Sequence, residues 1–192
     1  GSPGLSAASA NSVAAIDMGS NRLVAEVPVG NGPTSVAASE DGVWVVNSFD
    51  DSVSRLDPDT GAVIDRVDAG RDPGGIAVGG GSVWVANSLD ATVSRIDAET
   101  GRVGTITVGL TPTAVAADDS TVWVTNAGER SVTRIDAASG RVLDRAIPTG
   151  AFGRGIAIGG GGVWITDETS RSVVRLDPRR GRVVTTVSVG NG

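Results

Sequence analysis

The side chains able to perform acid–base or nucleophilic chemistry are few in this sequence. All 16 cationic residues are Arg, against 22 Asp and Glu, and Lys, His, Cys and Tyr are absent. No imidazole is available as a general base, no thiolate or lysine amine as a nucleophile, and no phenol as an acid. Carboxylates remain. A pair of them suffices for glycoside hydrolysis, but no pair stands out here. Asp50-Asp51 near Asp90, and Asp118-Asp119, lack the dense alternation of a calcium loop and read as solvated turn residues. Without His or Cys a metal site would be all oxygen. No cofactor is expected, and Ca2+ or Mg2+ are the ions this donor set admits. The run Gly159–Gly162 lies between two strand-like segments and opens no helix, so it is a turn and not a phosphate cradle. A net charge of −6 and a basic patch no larger than Arg179-Arg180 make nucleic acid and anionic lipid poor partners.

Two residues that could do chemistry recur with regular spacing, and that leads to the elements holding them. Arg55, Arg95, Arg134 and Arg175 each stand two residues before Asp57, Asp97, Asp136 and Asp177, in SVSRLD, TVSRID, SVTRID and SVVRLD. Each phrase follows another built on Trp44, Trp84, Trp123 or Trp164: GVWVVN, SVWVAN, TVWVTN and GVWITD. Before three of the Trp residues lies a Pro-x-x-[IV]-A segment, from Pro33, Pro73 and Pro112, replaced by GRGIAIG from Gly153 in the last copy. The Trp residues are 40, 39 and 41 apart. Val and Ile alternate with small or polar residues, and 28 Gly punctuate the runs. That pattern predicts short antiparallel strands. Each repeat holds four: a (PTSVAAS type), b (VWVxN), c (SVxRID) and d (the alternating run after the next Gly). Asp-x-x-x-Gly between c and d is turn chemistry, the carboxylate accepting from the turn backbone and Gly supplying positive φ.

Four antiparallel strands every ~40 residues predict an all-β propeller. The boundaries are a half-blade at 12–30, then full blades at 33–70, 73–109, 112–150 and 153–190, 18 strands in total. Residues 1–11, small and polar, read as a flexible linker or tag remnant. A blade must bury both faces, so Trp44, Trp84, Trp123 and Trp164 are expected to fill the space between blades. The recurring Arg are expected to tie carboxylates or carbonyls, a symmetric ligand ring being the alternative. Four and a half blades read as a partial ring, or one completed by oligomerisation. An open arc exposes apolar blade faces, so a homo-oligomer is expected. No apolar run approaches the ~20 residues that cross a bilayer, and no charged region followed by an apolar one marks a signal peptide.

The WVVN, WVAN, WVTN and WITD phrases, each near SVxRIDxxTG-like text and Pro-x-x-[IV]-A, resemble the YVTN-type propeller repeat with Trp in place of its Tyr. They are also similar to NHL-repeat and virginiamycin B lyase-like propellers. The resemblance spans about residues 12–192. It implies a propeller, often an extracytoplasmic module of a secreted, periplasmic or surface protein. The lyase-type members depend on catalytic histidines, which this chain lacks, so the resemblance argues against their reaction.

Positions that differ between copies are free to specialise. The d–a and b–c connections share one rim, and its least repetitive residues are Phe49, Asp50, Arg71, Asp72, Leu89, Phe152 and Arg154. Loops on a rigid scaffold commonly carry binding, and both Phe residues of the chain fall here. The expected function is therefore a non-enzymatic scaffold that binds a protein or small ligand at this rim. A carboxylate- or divalent-ion-dependent lyase or hydrolase is one alternative. A propeller fragment whose main property is self-assembly is the other.

Overall fold

The computed structural model describes residues 9–190, so residues 1–8 of the expected linker lie outside the described residues. It is all β. Strands β1 (Ser12–Asp17) and β2 (Arg22–Pro28) form a hairpin, the half-blade. Blade 1 is β3 (Pro33–Ser39), β4 (Gly42–Asn47), β5 (Ser52–Leu56) and β6 (Val63–Asp68). Blade 2 is β7 (Pro73–Gly79), β8 (Ser82–Asn87), β9 (Thr92–Asp97) and β10 (Val103–Thr107). Blade 3 is β11 (Pro112–Ala117), β12 (Thr121–Asn126), β13 (Ser131–Asp136) and β14 (Val142–Pro148). Blade 4 is β15 (Gly153–Gly159), β16 (Gly162–Asp167), β17 (Ser172–Asp177) and β18 (Arg182–Ser188). Every blade is a simple antiparallel meander. The first strands, β3, β7, β11 and β15, lie side by side around the hub. The blades form an open arc.

The core lies between blades, because a four-stranded sheet this short has too little thickness to bury anything by itself. Three seams result. Trp44, Val46 and Val53 of blade 1 share a buried cluster with Val83, Val85, Ile96 and Ala98 of blade 2. Trp84, Ala86 and Val93 of blade 2 meet Val115, Val122, Val124, Ile135 and Ala137 of blade 3. Trp123, Val132 and Ile147 of blade 3 meet Val163, Ile165, Val174 and Leu176 of blade 4. Each indole thus faces the blade that follows it in sequence. Trp44, Trp84 and Trp123 are fully buried, whereas Trp164 is only half-buried, since no described blade follows it.

Register explains the recurring Arg. Trp and Arg are direct cross-strand partners in every blade: Trp44 with Arg55, Trp84 with Arg95, Trp123 with Arg134, Trp164 with Arg175. Each guanidinium lies 5.1–5.5 Å from the indole centroid, within range of a cation–π attraction. The ends of the guanidinium then reach carbonyls: Arg55 donates to Asp41 O in its own blade at 2.8 Å, and Arg95 donates to Ala138 O of the next blade at 3.0 Å.

The recurring Asp cap the c–d turns. Asp57 accepts from the Thr60 N–H and hydroxyl, both at 2.7 Å, and Asp97 and Asp136 accept from Thr100 and Ser139 in the same way, while Asp177 accepts from the Arg179 and Arg180 N–H groups and from the Arg180 guanidinium. Gly61, Gly101, Gly140 and Gly181 follow with φ of +71, +69, +71 and +58°, a region that favours glycine.

A buried amide closes each b–c hairpin. Asn47 donates to the Ser52 and Ser54 hydroxyls, Asn87 to Thr92 and Ser94, and Asn126 to Ser131 and Thr133, at 2.9–3.2 Å. Blade 4 departs from this rule twice at once. Asp167 replaces Asn, and Val174 replaces the second hydroxyl residue, so the lost donor has no stranded acceptor. Asp167 turns to the Ser170 hydroxyl at 2.7 Å instead.

Candidate functional site

The d–a and b–c loops meet on one rim and hold each other by backbone hydrogen bonds. Ser48 N–H donates to Gly32 O at 2.9 Å, Ser88 N–H to Asp72 O at 3.1 Å, and Ala127 N–H to Thr111 O at 2.9 Å. The loops of blades 1 to 3 therefore sit in a fixed frame, linked by the same backbone bond and different in side chain. Turn residues at positive φ, Asp51, Asp72, Thr111 and Arg130 among them, shape it.

Within that frame Asp50, Arg71 and Asp72, though Arg71 and Asp72 are exposed, are tied to the loops by hydrogen bonds. Asp50 accepts from the Asn31 backbone N–H and side-chain amide, both at 2.8 Å, with Arg66 3.4 Å away. These bonds, the Asn31 N–H foremost, hold its carboxyl below the usual carboxylate range. Arg71 donates to Asp90 from both its backbone N–H and its Nε at 2.7 Å, which lowers the Asp90 carboxyl in the same manner. Asp72 accepts from the Ser88 hydroxyl, and its N–H donates to Asp51 at 2.9 Å, joining the rims of blades 1 and 2.

The apolar side chains point outward. Phe49 is 84% exposed, its ring lying over Gly32, where a Cβ would come within 2.8 Å of it. Leu89 is 67% exposed and Leu110 57%. They occupy the rims of successive blades. Farther along, Phe152 is half-buried under Arg130, whose guanidinium lies 4.3 Å from the ring centroid. Beside it opens a cleft of about 600 Å³ between blades 3 and 4, lined by Thr111, Thr113, Gly128, Phe152, Arg154 and Glu168. Arg154 and Glu168 face each other across 3.3 Å, both well exposed.

All seven rim residues read from the sequence thus lie on this rim, but they divide. Asp50, Arg71 and Asp72 frame the loops, Phe49 and Leu89 stand free, and Phe152 and Arg154 line the cleft. Leu110 and Arg130 were not singled out by the sequence. Leu110 had a signal, an apolar residue where the equivalent loops carry Asn31 and Arg71. Arg130 had none, because its ring partner comes from the neighbouring blade.

Among the described residues no three His, Cys, Asp or Glu converge as metal ligands. Asp50, Asp51 and Asp90 are already engaged by N–H donors, and Asp72 by the Ser88 hydroxyl. The arrangement offers a contact surface, apolar along its crest with paired charges between.

Structures of known proteins place this geometry. Streptogramin B lyase superposes with a TM-score of 0.81 at 18% identity, over 95% of this chain and 63% of its own. Virginiamycin B lyase from Staphylococcus aureus gives 0.79 at 20%, over 95% and 64%. Hydrazine synthase of Kuenenia stuttgartiensis gives 0.75 at 24%, over 84% and 51%. At such identities the likeness is one of fold. The chain spans between half and two thirds of the length of these structures. No curated protein matches its sequence. Residues 49–192 match the family described as outer membrane protein assembly factor BamB. With three quarters of its length matched and the bladed architecture in place, the chain belongs to the BamB-type propeller family.

Proposed function

We propose that this chain is a non-enzymatic binding scaffold of an extracytoplasmic compartment, holding an extended protein segment along the rim that carries Phe49, Leu89 and Leu110. The observation that carries the reading is that row of exposed apolar side chains on loops whose backbones are locked to one another. Large exposed apolar residues in series mark contact surfaces, and locked loops lose little entropy on binding. The cleft beside Phe152 suits one further side chain of the same segment, with Arg154 and Glu168 able to exchange their mutual contact for polar groups of the ligand. The family description, which concerns outer membrane protein assembly, supports both a protein ligand and an extracytoplasmic location. The engagement of Asp50, Asp72 and Asp90 by backbone and hydroxyl donors favours a scaffold over the carboxylate-dependent hydrolase or lyase that some neighbours bring to mind.

The test is fluorescence anisotropy with short synthetic peptides that alternate apolar and polar residues. Phe49→Ala combined with Leu89→Ala should weaken binding by about tenfold or more. Arg179→Ala, in a c–d turn, should leave it unchanged. Equal affinity of all three proteins would refute the assignment.

A further inference from the structure

The last strand of the half-blade and of each full blade presents an open outer edge, and one of these edges differs from the rest. β2, β6, β14 and β18 each carry a register shift against the neighbouring strand and at least one charged residue. Bulges and charges keep a strand edge from pairing with a foreign strand. β10 (VGTIT) has neither, its register with β9 being unbroken. The difference is written in chain length. Ala69, Val108 and Thr149 are equivalent, each donating its N–H to the carbonyl just before strand c, that of Asp51, Ala91 and Arg130. They lie 12, 11 and 13 residues after Asp57, Asp97 and Asp136, and the register shifts number one, none and two. Blade 2 lacks the residue that would make the bulge, and Trp84 and Trp123 are accordingly 39 apart. Blades 1 and 3 flank it on both sides, so this edge is a property of the blade itself.

The backbone of β10 offers a regular set of partners. Arg102 O accepts inward from the Asp97 N–H at 2.9 Å, and the Val108 N–H donates inward to Ala91 O at 3.0 Å. Bonding direction alternates along an antiparallel ladder. Gly104 and Ile106 therefore bond inward, while the N–H and C=O groups of Val103, Thr105 and Thr107 face outward, with no described strand beyond them. Gly104 stands in this edge without a local reason. Its φ is not positive, and a Cβ there would meet nothing nearer than Arg95 O at 4.0 Å, so neither the backbone nor the packing of this chain calls for glycine. A glycine on a strand edge leaves room for a large side chain lying across it from a neighbouring strand. One end of the edge adjoins the crest: Thr107 pairs with Thr92, three residues past Leu89, and Leu110 stands three residues beyond Thr107.

Resting on the crest as the seat of an extended protein segment, we propose that the segment continues past Leu89 and Leu110 and adds to β10 as a fifth, antiparallel strand of blade 2, uncharged and with an aromatic residue opposite Gly104. Main-chain bonds to Val103, Thr105 and Thr107 supply affinity, and the gap at Gly104 selects the side chain. A charge set against this edge would lose water with nothing to pair it, because β10 carries none. A second folded copy is the poorer occupant. A five-residue edge is about 17 Å long, too short for two folded chains to bury the roughly 800 Å² each that a stable complex needs. A flexible segment gains the crest contacts as well.

The probe is a synthetic peptide of alternating Thr and Val with one central Tyr, flanked by Lys for solubility, together with two isomers N-methylated on one or the other set of alternate amides. The parent peptide should protect the Val103, Thr105 and Thr107 amides from hydrogen exchange, read by NMR. One isomer should bind as the parent does, and the other at least about tenfold more weakly. Thr105→Pro removes an outward N–H and no bond to β9, and Thr105→Lys changes only an exposed side chain. Both should weaken the parent peptide by a similar factor, with circular dichroism unchanged. Equal binding of the two isomers, with the three amides unprotected, would overturn strand addition; the crest would stand if Phe49→Ala with Leu89→Ala still weakens the peptide. Protection of the amides with no effect of that double variant would support the added strand and overturn the crest. No binding of the parent peptide would overturn both. Protection that rises with protein concentration in the absence of peptide would give the edge to a second copy and overturn the proposal.

Discussion

If each indole is sealed by the blade that follows it, the four Trp residues should differ in worth, and Trp84 and Trp164 make the cleanest pair. Both donate Nε1–H to a glycine carbonyl, at 3.0 and 2.9 Å, and both lie under an Arg, at 5.2 and 5.5 Å. Substitution by Ala removes the same hydrogen bond and the same cation–π contact in each, so those contributions cancel. What differs is burial: Trp84 is fully enclosed by blade 3, and Trp164 is half open. Trp84→Ala should therefore cost about 3–5 kcal/mol, the usual loss for an enclosed aromatic together with its cavity. Trp164→Ala should cost about 1–2 kcal/mol, since part of its apolar surface has never left water and the void opens to solvent. Urea unfolding followed by far-ultraviolet circular dichroism measures both, at concentrations where the chain is monomeric. A repeat array need not unfold in one step, so midpoint and slope are both compared. Equal losses at the two positions, or a larger loss at Trp164, would refute the seam argument.

Other consequences follow from the same contacts. Gly79→Ala should lower stability by about 1–3 kcal/mol, because its Cβ meets the Asp118 carbonyl, while Gly159→Ala should be close to neutral in the monomer; thermal melts compare them. Asn87→Asp removes the donors to Thr92 and Ser94 and buries a charge, a loss of about 3 kcal/mol at neutral pH, and adding Ser94→Val, the pairing used in blade 4, should recover part of it. Asp17, Asp57, Asp97, Asp136 and Asp177 all have carboxyls held below their ordinary range by the side-chain and backbone donors of their turns. Lowered folded-state values mean stability that is present above the unfolded-state value and lost as pH falls through the folded one. Urea midpoints should thus be flat from neutral pH down to about 5 and fall steadily below about 4, and a midpoint that rises on acidification would contradict the turn-capping role. Ca2+, Mg2+ and EDTA should each leave Tm unchanged, whereas a rise with either ion would point to a native-state site.

The fold was legible because a blade writes its architecture in a short period. Trp at b, Arg and Asp in c and Gly after c–d recur with one register, and side-chain alternation leaves a single way to pair the strands. The Trp–Arg stack was open to inference from the same hairpin register, since a fixed b–c loop makes the two residues cross-strand partners. The Asn–hydroxyl networks also left a trace, Asn closing VWVxN and Ser or Thr at the first and third places of the next phrase. The rim was legible only as the set of positions that break the repeat. Which of its carboxylates would be tied to the loops depended on backbone donors such as Asn31 N–H and Arg71 N–H, which a sequence does not display. Arg130 over Phe152 joins two blades and arises only once those blades are placed side by side.

The central claim is that successive blades close over one indole after another and leave a single one open. Labelling with 5-fluorotryptophan gives four fluorine resonances, assigned by substituting each Trp with Phe. In dilute solution a soluble paramagnetic quencher should broaden the Trp164 resonance and spare those of Trp44, Trp84 and Trp123. Equal broadening of all four, or protection of Trp164 together with exposure of Trp84, would contradict the account.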